Sequence, residues 1–188
     1  SVLKEKLERL SGVEVLALEF DVRNNVEVKE VINGLPDKWQ KIDVLLNNAG
    51  LAKGFSDIQE GDTEDWDVMI DTNVKGLLYV SRAIMPLMIA NKRGQIVNIG
   101  SIAGKEVYAK GNVYCSTKHA VEAITKAMRM DLLQHKIKVS AVCPGAVDTE
   151  FSEVRFDGDK TRAKSVYDGY QPLKAEDIAE AVLFVCSR

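Results

Sequence analysis

The sequence predicts an α/β domain built as a doubly wound parallel sheet with helices on both faces. Three observations predict it. Helical and extended hydrophobic periods alternate along the chain. The extended stretches are near-continuous apolar runs (Val44-Leu45-Leu46; Ile96, Val97 and Ile99; Val139, Ala141 and Val142), as in strands buried on both faces. Each run is followed by a segment long enough for a helix, the crossover that parallel strands require.

The elements follow in order. Leu3, Leu7 and Leu10 recur at helical spacing, and Gly12 ends that first helix. "VEVLALEFDV", residues 13–22, reads as a strand, and "NVEVKEVINGL", residues 25–35, as a helix. "IDVLLNN", residues 42–48, is a short apolar strand. A long helical region covers about residues 63–90, with Pro86 predicting a late kink. "GQIVNIGS" is a strand, residues 112–134 a helix, and "IKVSAVCPG" a strand. "KAEDIAEAVLFVC" is a helix with acidic residues in its first turns, where they complement the helix dipole. Residues 148–173 are long, charged and aromatic, with no regular period, and predict an active-site flap.

The chain starts and ends in helices. A sheet of this kind opens on a strand, so a strand–turn–helix–strand section of about 30 residues and the closing strand are expected to be missing.

The 188 residues fit one domain, 1–188, with 46% hydrophobic and 28% charged residues, an ordinary globular balance. A net charge of −3 offers no basic stripe for nucleic acid or anionic lipid. No apolar run reaches the roughly 18 residues of a membrane span. "SVLKEKLERL" is a charged helix pattern rather than a signal peptide. Cys115, Cys143 and Cys186 are odd in number and widely spaced, which predicts reduced thiols and a cytoplasmic location. His119 and His135 belong to no ligand-like cluster, so no metal is expected. Cys115, Cys143, Trp39 and Trp66 read as packing residues, and Met85, Met88, Met128 and Met130 as core or interface.

In an open parallel sheet, ligands sit at the carboxyl ends of the strands. Four such ends carry "FDV", "NNAG", "NIGS" and "CPGAVDT". Each alone is a turn signal; four on one sheet edge point to a site. Near the start of helix 112–134, Tyr114 and Lys118 stand four residues apart on one face. An ammonium beside a phenol favours phenolate and brings its pKa of ~10 toward the range useful for proton transfer. For such a pair in isolation, a core tyrosine and a solvated lysine are the alternative.

Asn47-Asn48-Ala49-Gly50, Asn73 in "DTNVKG", Ser101 in "VNIGS", Tyr114-Cys115-Ser116-Thr117-Lys118 and Pro144-Gly145 occur in this order, with Ser101 thirteen residues before Tyr114. On these motifs the chain resembles the short-chain dehydrogenase/reductase family over essentially its whole length. The resemblance implies a Rossmann-like fold and hydride transfer between NADP(H), with NAD(H) the other candidate, and a hydroxyl or carbonyl carbon. It makes Asn73, Ser101, Tyr114 and Lys118 catalytic. Ser101 would donate to the substrate oxygen, Asn73 would hold a water linking Lys118 to solvent, and Lys118 would also bond the nicotinamide ribose. Asp21 and Val22 would contact the adenine, and Asn47, Ala49 and Gly50 the adenosine side. Pro144 and Gly145 would turn beside the nicotinamide, with Val147 and Thr149 on its carboxamide. Asp21 and Thr149 also read as turn residues. The family's Gly-rich phosphate turn and the end of its second strand, which separate NAD from NADP, are absent.

"PGAVDTEFSEVRF" resembles the 3-hydroxy acid dehydrogenase group, which acts with NADP on serine and L-allo-threonine. Ser101, Tyr114 and Arg155 would then bind substrate. A carboxylate calls for a cation, best a bidentate arginine; Arg155 is the first candidate and Lys110 the second. The alternatives are a same-family reductase of a 3-oxoacyl thioester, sugar or steroid, and a non-catalytic nucleotide sensor. Helices 63–90 and 112–134 are apolar on more than one face, and the resemblance implies that they pair subunits in a homo-tetramer or homo-dimer.

Overall fold

Three short strands, β1 (Val44–Asn47), β2 (Gln95–Ile99) and β3 (Lys138–Val142), pair in parallel in that order in the computed structural model. It describes every residue except Ser1, Ser11 and Tyr170, together with the side chains of Val2 and Leu3. The leucine stripe of the first helix, α1 (Val2–Glu8), therefore lies partly outside the described residues. Leu45 stands opposite Ile96, and Ile96 opposite Val139.

Alternation along β2 sets the layers. Ile96 enters a core with Val28 of α2 (Asn25–Asn33), Ile84 and Met88 of α4 (Leu77–Asn91), and Val121 and Met128 of α5 (Asn112–Leu132). Asn98, two residues on, faces the same way and bonds Thr125 of α5. Gln95, on the opposite face, donates to the Val185 carbonyl of α8 (Ala175–Cys186). Helices therefore cover both faces. Met88, Ile96 and Val28 are fully buried, and each contributes about 1.5–3 kcal/mol of transfer free energy. Trp39 and Met85 pack against this core, while Met130 is exposed.

Residues 13–20 form no strand. A strand is a relation between two segments, made by ladder hydrogen bonds, and none of the described residues pairs with this one. Val13, Leu16 and Leu18 stay exposed, as do Val44 and Leu46 on the edge strand β1, although Phe20 packs on the core.

The long helical region is three pieces: α3 (Thr63–Ile70), a π-helical segment (Asp71–Gly76) and α4. Asp62 caps α3 by accepting from the Glu64 amide. The sequence placed the irregularity at Pro86, but α4 runs through Pro86 to Asn91 and the change in hydrogen bonding comes earlier. Gly76 admits close packing there: a Cβ would lie 2.8 Å from Val22 Cγ2.

The predicted irregular flap is partly regular. It opens on β4 (Val147–Asp148), continues through α6 (Glu150–Arg155) and α7 (Lys160–Ser165), and returns through β5 (Leu173–Lys174), which pairs in parallel with β4. Thr149 caps α6, and Asp159 caps α7. Each helix is under two turns, too short for a periodic signal. Among the described residues, no helix is long and apolar enough to cross a membrane.

Candidate active site

The carboxyl ends of β1 and β2 meet the first turns of α5 and the π segment. Lys118 is buried, and its Nζ donates to the carbonyl of Ile99, the last residue of β2 (3.0 Å). The same Nζ lies 5.9 Å from the centre of the Tyr114 ring. Tyr114 is buried too, its ring edge-on to Phe151 of α6 at 5.6 Å. Ser101 follows β2; its Oγ accepts from the Ala103 amide (3.1 Å), and it stands close enough to the Tyr114 phenol to draw the phenol's pKa down. The sequence thus placed Ser101, Tyr114 and Lys118 in one mouth, and the structure brings them together there.

Asn73 sits on the π segment with almost no exposure. Its Oδ1 accepts from the Leu51 amide (2.8 Å), and its Nδ2 donates to the Leu51 carbonyl (2.8 Å) and Thr117 Oγ1 (3.0 Å). Both amide protons are therefore used within the protein. A Cβ on Gly50 would stand 3.3 Å from Asn73 Oδ1 and 3.6 Å from Lys118 Nζ. Glycine keeps this strand end open above both side chains.

Burial dominates the electrostatics. Lys118 is pushed down to about 8 because the buried ammonium is desolvated. Desolvation pushes the Tyr114 phenol up to about 12, against the opposing pull of the neighbouring Ser101 hydroxyl. The expected lowering of Tyr114 by Lys118 is thus overridden: Nζ is directed at the Ile99 carbonyl, and the loss of water around the phenol is the larger effect.

The cofactor candidates divide. Asp21, Val22 and Ala49 line an open cleft of about 540 Å³ with Glu19, Phe20 and Glu27. Asp21 is paired with Arg23 at 2.6 Å, and that hydrogen bond holds its carboxyl below the usual range. Asn47 turns inward instead: its Nδ2 donates to Ser81 Oγ (2.9 Å) and Asn98 Oδ1 (2.8 Å). Its side chain belongs to the sheet interior, which leaves its main chain for ligand contact. Pro144 accepts from the Ile102 amide (2.9 Å), tying the turn after β3 to Ser101's neighbour. Gly145 is not crowded, since a Cβ would stand 3.8 Å from Ile102. The Val147 carbonyl accepts from Tyr167 (2.9 Å), and Thr149 caps α6. The open cleft and the uncrowded, backbone-rich strand ends suit a dinucleotide laid along this edge.

Arg155 is buried on the inner side of the flap rather than solvated. Its guanidinium lies 5.8 Å from the Tyr114 ring centre, while Nε donates to the Gly54 carbonyl (3.2 Å) and Nη1 to the Tyr108 hydroxyl (2.9 Å). Lys110 lines the same recess from a left-handed turn position (φ 63°). Sequence reasoning missed Tyr108, which no motif marks. It also missed the buried polar set Asn98, Thr125 and Ser81, although an asparagine inside the apolar run Ile96–Ile99 was a signal that partners must be buried beside it. No group of three or more His, Cys, Asp or Glu side chains that could hold a metal occurs among the described residues.

A family model described as short chain dehydrogenase matches residues 1–160. The chain is 44% identical over 186 residues to the NADP-dependent 3-hydroxy acid dehydrogenase of Schizosaccharomyces pombe, covering 99% of this chain and 72% of that protein. The enzyme of the same description from Escherichia coli (strain K12) is 43% identical over 186 residues, covering 97% and 75%. Among solved structures, the closed form of serine dehydrogenase complexed with NADP+ superposes with a TM-score of 0.92 at 42% identity, covering 98% of this chain and 75% of that one.

Proposed function

The chain belongs to the short-chain dehydrogenase family, and from that premise we propose an NADP-dependent oxidoreductase that interconverts the hydroxyl and carbonyl forms of a small 3-hydroxy acid, such as serine or allo-threonine. The observation that carries this reading is the convergence of Ser101, Tyr114 and Lys118 at one mouth with a buried arginine, Arg155, 5.8 Å from the Tyr114 ring. The relatives' descriptions as NADP-dependent 3-hydroxy acid dehydrogenases support the cofactor and the substrate class.

Asp21, Val22 and the main chain of Asn47, Ala49 and Gly50 hold the adenosine half of the cofactor. Pro144, Gly145, Val147 and Thr149 flank its nicotinamide end. When bound, the nicotinamide supplies or accepts the hydride. Ser101 donates a hydrogen bond to the reacting oxygen, where negative charge develops. Tyr114, protonated at neutral pH, gives its phenolic proton to that oxygen in reduction and recovers it in oxidation. Lys118, a cation below about 8, stabilises the phenolate left behind and bonds the ribose. Asn73, its amide protons already donated, holds a proton-relay water through an acceptor oxygen. Arg155 binds the substrate carboxylate; neutral substrates such as a sugar, steroid or 3-oxoacyl thioester would leave its charge unused.

In this reading residues 1–188 are one dinucleotide-binding domain, with 148–173 as its substrate flap, in a cytoplasmic homo-tetramer or homo-dimer. Exposure of Met130 and Leu133 (77% and 74%) at the end of α5 supports subunit pairing, and light scattering is expected to give twice or four times the protomer mass. The test of function is nicotinamide absorbance with NADP or NAD against serine, allo-threonine, unsubstituted 3-hydroxy acids and neutral alcohols. Turnover of the acids with NADP is expected. Turnover confined to neutral alcohols would replace the substrate assignment.

A further inference from the structure

Every described partner of Arg155 is uncharged. The guanidinium donates to a carbonyl, Gly54, and a phenol, Tyr108, and lies against the rings of Phe55 (4.8 Å), Tyr108 (5.6 Å) and Phe156 (5.9 Å). Asp157, one residue past Phe156, pairs with Lys53 instead. Asp62 and Asp65 line the same recess but form no ion pair with Arg155. A buried cation held by neutral groups keeps its charge available to an anion that enters beside it.

Tyr108 is built into place. Gly111, which precedes α5, leaves the space that the Tyr108 ring fills: a Cβ there would stand 2.2 Å from the ring. Lys110 adopts the left-handed conformation (φ 63°) that makes the turn between them. The phenol is thereby fixed next to the helix turn that carries Tyr114. Burial raises the Tyr108 pKa, so the hydroxyl stays neutral and cannot cancel the arginine.

We propose that Tyr108 is a positioning residue for substrate charge selection: its hydroxyl fixes the Arg155 guanidinium beside Tyr114 while leaving its positive charge for the substrate carboxylate. This rests on the assignment of Arg155 as the carboxylate anchor. Tyr108→Phe keeps the ring over Gly111 and removes only the acceptor. With the active protein, a 3-hydroxy acid and its methyl ester are compared in kcat/KM, alongside Arg155→Ala. Tyr108→Phe is expected to raise KM for the acid about tenfold, the effect of one lost hydrogen bond to a charged group. It is expected to leave kcat, the NADP KM and the ester's KM unchanged, so the acid-to-ester preference falls about tenfold. Arg155→Ala lowers that preference further. An unchanged preference in Tyr108→Phe with a reduced one in Arg155→Ala overturns the role of Tyr108 alone. An unchanged preference in both, or no turnover of any 3-hydroxy acid by the unaltered protein, removes the assignment beneath it.

Discussion

Asn73→Ala tests whether the π segment serves as the brace of the site. Asn73 bonds both main-chain groups of Leu51 and the hydroxyl of Thr117, three hydrogen bonds from one nearly inaccessible side chain. Truncation leaves the Leu51 amide and carbonyl without their partner. An orphaned buried polar group costs about 1–3 kcal/mol, and Leu51 is only partly buried, so the two together cost about 2–4 kcal/mol. Thr117 loses a donor but still donates to the Tyr114 carbonyl, and adds little. For a chain of this size each kcal/mol moves the unfolding midpoint by about 2–4 °C, so a fall of roughly 4–16 °C is expected. Urea titration gives the free energy directly, and an unchanged m-value certifies that the denatured state has not altered. The loop after β1 also loses its anchor above Lys118, so activity falls with stability. A loss below about 0.5 kcal/mol, the range of surface substitutions, would refute the bracing role.

Further predictions concern the helix α5. Tyr114→Phe keeps the ring packing against Phe151 and removes the proton donor; kcat is expected to fall by at least about 10²-fold, with urea stability within about 1 kcal/mol of the parent. Lys118→Met is expected to be inactive but more stable at neutral pH. Its ammonium titrates near 8 in the fold against 10.5 free, so between these values the unfolded chain binds more protons and stability rises with pH. That shift corresponds to roughly 3 kcal/mol of cost at neutral pH, partly offset by the bond to Ile99. Denaturation from pH 7 to 10 should show the rise in the parent and its absence in the variant. Gly104→Ala places a Cβ 2.6 Å from the Lys118 carbonyl oxygen, a backbone atom that cannot swing aside. It is expected to cost about 1–3 kcal/mol and to depress kcat, read by urea denaturation and turnover.

The parts of the fold visible in the sequence are those with a strong local signal. Apolar runs gave β1, β2 and β3, and helical periods gave α2, α4, α5 and α8. The failures are relational. Residues 13–20 have strand composition but no strand beside them, and the π segment depends on hydrogen-bond geometry that period counting cannot resolve. The flap helices α6 and α7 have cap residues, Thr149 and Asp159, that were visible, but too few turns to show a face. The site was legible where residues form a spaced motif, as at Ser101, Tyr114 and Lys118. What the sequence does not show at Asn47 is that its side-chain amide serves the neighbouring strand, a fact fixed by sheet register rather than by sequence order.

The electrostatic state of the Tyr114–Lys118 pair bears on which proton moves. Charge attraction alone would make the phenol acidic, yet burial raises it to about 12 and lowers the ammonium to about 8. Both shifts oppose charge, as expected where water is excluded. Near neutral pH the site therefore holds a protonated phenol and an ammonium close to its titration point. A phenol near 12 remains a far stronger acid than an aliphatic alkoxide's conjugate alcohol, so donation to a developing alkoxide runs downhill. In the proposed mechanism, as the proton leaves, negative charge would appear on Tyr114, whose ring centre lies 5.9 Å from Lys118 Nζ, and that charge would raise the lysine's affinity for its own proton. The lysine thus becomes most firmly charged when phenolate forms, which gives its attraction mainly to the state after proton transfer. Interactions stronger in the transition state than in the ground state are the ones that accelerate a reaction. The stability lost by burying Lys118 is consistent with that use: a solvated lysine would keep a constant charge and respond less.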